Sequence, residues 1–119
     1  MIIELDFPPS ALFPNRSKGK HWGVTHAEKV KYREDSVWLT KQQMGGWKHK
    51  GGDLELVTSF RMPDKRHRDA DNCLAAAKAG LDGMAEALGV NDKFFQPITI
   101  YRFHGEKPGK LIVEIKEQP

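Results

Sequence analysis

Residues 61–95, RMPDKRHRDADNCLAAAKAGLDGMAEALGVNDKFF, place a basic cluster before two aspartates, then a long alanine-rich segment, then a further aspartate. Leu74, Ala77, Leu81, Met84 and Leu88 recur at steps of three and four, the spacing of an apolar stripe on a helix that packs against a sheet. Asp69 to Asn72 supply favoured caps for its start, and Gly89 supplies its end. Asp71, Ala75, Lys78, Asp82 and Glu86 fall on a separate, charged stripe of the same helix. Cys73, Ala76, Ala79, Gly80, Gly83 and Ala87 cover much of the rest, and side chains this small admit a second backbone, from a sheet or from another subunit.

Outward from this helix, the pattern on both sides is that of strands. Upstream, DLELVTSFRM (53–62) alternates Leu54, Leu56, Thr58, Phe60 and Met62 with more polar neighbours, as a half-buried strand requires. Before it, Thr25 and Glu28 read as a capping box opening a helix that runs to about Met44, with Gly45 and Gly46 as the stop and Val30, Val37 and Trp38 as its apolar face. MIIELDF (1–7) reads as a first strand stopped by Pro8 and Pro9. Downstream, PITIYRF (97–103) and KLIVEIK (110–116) read as two strands paired as a hairpin through a turn containing Pro108 and Gly109. The expected fold is α/β in the mixed α+β sense: a single domain, residues 1–119, ordered β-α-β-α-β-β, with a mixed sheet against two main helices.

Composition narrows the function. The chain has 119 residues, a net charge of +3 and one cysteine, so an intrachain disulfide or a cysteine-based zinc site is excluded and a reducing, cytoplasmic setting is expected. No run of apolar residues is long enough to span a membrane, and the first ten residues lack the cationic start of a secretion signal. The loop SALFPNRSKGKHWGV mixes Arg16, Lys18, Lys20 and His21 with Phe13 and Trp22, a set suited to gripping phosphates while an aromatic face meets a base, or else a solvated loop with two anchoring aromatics. His26, His49 and His104 show no metal-ligand spacing.

Three readings of Asp69, Asp71 and Asp92 stand side by side. They cap a helix, pair with an arginine and cap a turn; or they hold Mg²⁺, which prefers oxygen ligands and activates water towards phosphate; or they are incidental to a cationic surface that binds nucleic acid without chemistry. The spacing D-x-D does not separate them.

The chain resembles the RusA family of Holliday junction resolvases. The resemblance rests on PPS followed by NR in the first loop, YRE in the first helix, MPDKRHRDADN entering the second, K-A-G-L-D within it, and GVNDKF after it. It implies a Mg²⁺-dependent endonuclease, with Mn²⁺ able to substitute, that resolves four-way DNA junctions as a homodimer in the cell interior. It further implies Asp69, Asp71 and Asp92 as catalytic metal ligands and Lys78 as the catalytic lysine; the clustered loop residues Arg16, Lys18, Lys20, Arg66, His67 and Arg68 are expected to bind the DNA backbone. Two departures accompany it. The family lysine lies four residues after the second aspartate, where this chain has Ala75, and Lys78 lies seven after; the alternative for Lys78 is a helix pair with Asp82. The paired aspartates of the third site are here Asn91 and Asp92. These departures motivate the other reading, a non-catalytic or weakly active structure-specific DNA-binding protein of the same fold; a nuclease acting on flaps or forks is a third.

Overall fold

Period-two burial builds the sheet. In the computed structural model, which describes residues 1–14 and 22–118, strand β1 (Ile2–Asp6) buries Ile3 and Leu5, and β2 (Leu54–Arg61) buries Leu54, Leu56, Thr58 and Phe60. Strand β4 (Lys110–Glu117) buries Leu111, Val113 and Ile115. With β3 (Phe95–Phe103) they form one mixed sheet of order β1-β4-β2-β3. Helices α1 (Trp22–Gln43) and α2 (Ala70–Leu88) complete the order β-α-β-α-β-β. The buried sheet residues join Tyr32 of α1 and Cys73, Ala77, Leu81, Met84 and Leu88 of α2 in one core. Among the described residues no helix is long and apolar enough to cross a membrane.

The sequence predicts β3 and β4 as a paired hairpin, and the structure corrects this. Strand β4 is antiparallel to both β1 and β2, while β3 runs parallel to β2 on its other side. Arg61 of β2 therefore stands between Phe103 and Lys110. The reason lies in α2, which returns the chain from β2 to β3 as a crossover between parallel neighbours. Strand β4, with its clean apolar face, then takes the central place. Residues 104–109 cross the end of β2, where a Cβ on Gly105 would lie 2.6 Å from the Met62 carbonyl oxygen.

Helix α1 departs from expectation twice. It already includes Trp22, so Thr25 is an internal residue rather than a cap. Its buried side is Tyr32, Ser36 and Thr40, whereas Val30 is 41% and Trp38 64% exposed. The partner explains the choice. A Cβ on Gly80 would lie 2.6 Å from the Tyr32 ring, and one on Gly83 would collide with the Arg33 carbonyl oxygen. Gly80 and Gly83 of α2 thus admit α1.

Candidate functional site

The connection from β2 to α2 is folded around one carboxylate. Asp64 accepts the Arg66 backbone N–H at 2.9 Å and receives the Arg68 guanidinium on both oxygens, at 2.9 and 3.1 Å. The Arg68 guanidinium also lies 5.3 Å from the Phe7 ring centre and 5.6 Å from that of Phe13, and its side chain is only 11% exposed. A bidentate, ring-covered arginine of this kind is an anchor. Arg68, expected on the DNA surface, is turned inward, whereas Arg66 and His67 face solvent. Phe13, expected to meet a base, is buried and stacked on Phe7 at 5.8 Å. Arg16, Lys18, Lys20 and His21 lie outside the described residues.

Both aspartates of the D-x-D pair stand at the head of α2. Asp69 is its N-cap by backbone conformation, and its carbonyl accepts the Cys73 N–H at 2.9 Å. Its carboxylate does no capping; Oδ1 lies 2.8 Å from His67 Nε2. Asp71 accepts the Asn72 N–H at 3.0 Å and has no arginine partner among the described residues. A cavity of about 260 Å³ adjoins Asp69, lined also by Ser10, Phe13, Arg66, His67, Arg68 and Asn72. Acid and base meet there in one concavity.

Asp92 and Lys78 form a second cluster further along the helix. The turn Asp92–Phe94 is capped by Asn91, whose Oδ1 accepts the Lys93 N–H at 2.9 Å, so the residue standing where the family has its other aspartate does the capping. Lys78 Nζ donates to Asp82 at 2.6 Å and to Asp92 at 3.0 Å. The hydrogen bond to Asp82 raises the Lys78 pKa above its ordinary 10.5, the bond to Asp92 adds to it, and partial burial opposes both. The expected alternative partner, Asp82, is therefore present; the second partner, Asp92, carries no signal in the sequence. Lys78 lies about 10.5 Å along the axis from Asp71 at 1.5 Å per residue.

The carboxylates are exposed oxygen donors, the chemistry a hard divalent cation takes. They do not all gather: among the described residues no group of three or more His, Cys, Asp or Glu is arranged to hold a metal ion. Arg102 and His104 were not singled out by sequence reasoning for this neighbourhood. Arg102 Nη1 donates to the Arg68 carbonyl at 2.9 Å, a contact created by the parallel pairing of β3 with β2. Cys73 is buried beneath, its thiol pKa pushed up by that burial, and is unsuited to nucleophilic work.

Comparison with known proteins bears on the family. The family model described as Endodeoxyribonuclease RusA matches residues 7–116, nearly the whole chain. An uncharacterized protein of Xylella fastidiosa (strain Temecula1) is 28% identical over 117 residues, covering 95% of this chain and 74% of that one.

Proposed function

Because the chain belongs to the RusA endodeoxyribonuclease family, we propose that it cuts phosphodiester bonds at four-way DNA junctions inside the cell, using Mg²⁺. The observation that carries this reading is the exposed Asp69–Asp71 pair at the head of α2, of which Asp69 lines a cavity together with Arg66 and His67. Cations without acids would bind the backbone and leave no place for a metal; acids without cations would repel DNA.

Each side chain then has a task. Arg66 and His67 receive phosphate oxygens, helped by the positive end of α2. Asp69 and Asp71 would hold the metal, Asp92 would join them only by exchanging its bond to Lys78, and Mg²⁺ when bound would supply charge neutralisation at the scissile phosphate and an activated water. Lys78 remains cationic at any ordinary pH and stabilises charge on the phosphate or the leaving oxygen. Arg68 keeps the connection between β2 and α2 in place through Asp64. Two symmetric cuts require two sites, so the acting form is a homodimer.

Labelled four-way junction, linear duplex and single strand, each incubated with Mg²⁺ and with chelator, test the reading. Cleavage confined to junction and dependent on metal supports it. A second reading, junction binding without chemistry, is favoured by the separation of Asp92 from the other two aspartates and by its pairing with Lys78. Metal-dependent turnover separates the two.

A further inference from the structure

The last two aromatic residues of β3 lie where no core residue covers them. Tyr101 and Phe103 remain 50% and 43% exposed, with rings 6.2 Å apart and inclined by only 23°. The register explains their position: they sit beside Ser59 and Arg61, on the face of β2 opposite to buried Thr58 and Phe60. The Arg61 guanidinium lies 5.3 Å from the Phe103 ring centre. This is a flat aromatic surface, at the open edge of the sheet, with a cation against it.

A cavity of about 220 Å³ joins that surface to the site. Arg66, His67, Arg68, Arg102, Phe103 and His104 line it with Met62, and among the described residues no carboxylate does. The neighbouring cavity, in contrast, includes Asp69. Arg102 is held at its edge by the bond to the Arg68 carbonyl. One wall is therefore shared with the segment leading into Asp69, and the opposite wall is Phe103. Arg66 and Arg68 are paired with Asp64 and His67 with Asp69, so Arg102 is the cation this cavity offers to an anion, while the exposed parallel rings offer a surface to a flat apolar group; a nucleotide carries both.

We propose that Phe103 and Tyr101, with Arg102 and His104, form a second DNA subsite that takes an unstacked base and its phosphate beside the crossing point of the junction. The subsite deepens the function proposed above and rests on it. A base at a crossing point has already lost part of its stacking, so drawing it onto the rings costs least there. A second copy of this chain is the competing occupant of an open edge strand. Isologous pairing would, however, bring two copies of the same cationic strip, with Arg61 and Arg102 on both sides, into one interface, an excess of like charge that opposes association.

The test uses the full chain in chelator, where binding is read without cleavage. Junctions carrying 2-aminopurine at the crossing point are titrated with wild type, Phe103→Ala, Phe103→Trp and Arg102→Gln over a range of salt, with sedimentation of each protein. Phe103→Ala should weaken junction binding about tenfold, the scale of one base stacked on an aromatic ring, with the salt slope unchanged and the fluorescence change lost. Phe103→Trp should restore both. Arg102→Gln should weaken binding and lower the salt slope by about 1. Junction binding by Phe103→Ala equal to wild type overturns the subsite while leaving cleavage untouched. Loss of affinity together with a changed oligomeric state also overturns it, and assigns the surface to a second copy. Wild type that binds the junction but never cuts it removes the proposed nuclease activity alone.

Discussion

Nζ of Lys78 lies 3.0 Å from Oδ2 of Asp92, joining the middle of α2 to the turn that leads into β3. The same nitrogen is 2.6 Å from Asp82. Lysine and third aspartate therefore belong to one cluster, and metal binding by Asp92 has to exchange this contact for another. The side chains are 59% and 52% exposed, so the pair contributes at most about 1 kcal/mol and is readily given up.

Replacement of Lys78 by alanine should reduce turnover by two orders of magnitude or more, while junction affinity changes less than about threefold and the melting temperature by a degree or two. The pH dependence has a definite sign. Because the folded pKa is raised above 10.5, the stabilising contribution of Lys78 is complete below pH 10.5 and is lost only as pH rises through the raised value. Activity should show no loss attributable to this lysine at lower pH. Unchanged turnover with a clearly lowered melting temperature would return Lys78 to a purely structural pairing.

Arg66 and Arg68 should separate cleanly. Arg68→Ala removes a bidentate partner of Asp64 and a guanidinium packed on Phe7 and Phe13, and should destabilise the fold by roughly 1–3 kcal/mol. Arg66→Ala should leave the melt within about 0.5 kcal/mol and weaken DNA binding, lowering the salt slope by about 1. Thermal melts and salt titrations of the two variants decide it; a stable Arg68→Ala with reduced salt slope would show that Arg68 serves DNA instead.

Gly83→Ala should cost more stability than Gly80→Ala. At Gly83 the obstacle is the Arg33 backbone, which moves only with all of α1, whereas at Gly80 it is chiefly the Tyr32 ring. Overpacking of this kind costs about 1–3 kcal/mol. Chemical denaturation of both variants checks the order, and equal stability to wild type at Gly83 would contradict the close approach of the helices.

Much of this was legible in the sequence, and the exceptions have physical reasons. Strands β1 and β2 and helix α2 each bury one side, so period two or 3.6 is imposed on their residues and can be read back. Which strand lies beside which is a tertiary choice, and the exchange of a hairpin for a parallel β2–β3 pair left no local mark. The buried side of α1 was missed because Ser36 and Thr40 are there for their size: both hydroxyls are buried without a hydrogen-bond partner among the described residues, against a helix bearing Gly80 and Gly83. At the site, the place of Asp69 and Asp71 at the head of α2 was legible from their capping preference, while the D-x-D spacing left their role open. The inward turn of Arg68 was not, since Phe7 and Phe13, which cover it, come from a distant part of the chain.

The most direct measurement is metal-dependent cleavage of a labelled four-way junction by wild type, Asp69→Asn and Asp71→Asn, with binding followed in parallel in chelator. Asparagine preserves the shape and capping capacity of these positions and removes the charge that holds a hard cation. The account predicts Mg²⁺-dependent cutting by wild type, none by either variant, and junction binding by both that is equal to wild type or tighter, since a carboxylate facing phosphate has been neutralised. Normal cutting by Asp69→Asn and Asp71→Asn would contradict it, leaving the head of α2 as a structural cap and the nuclease without its site.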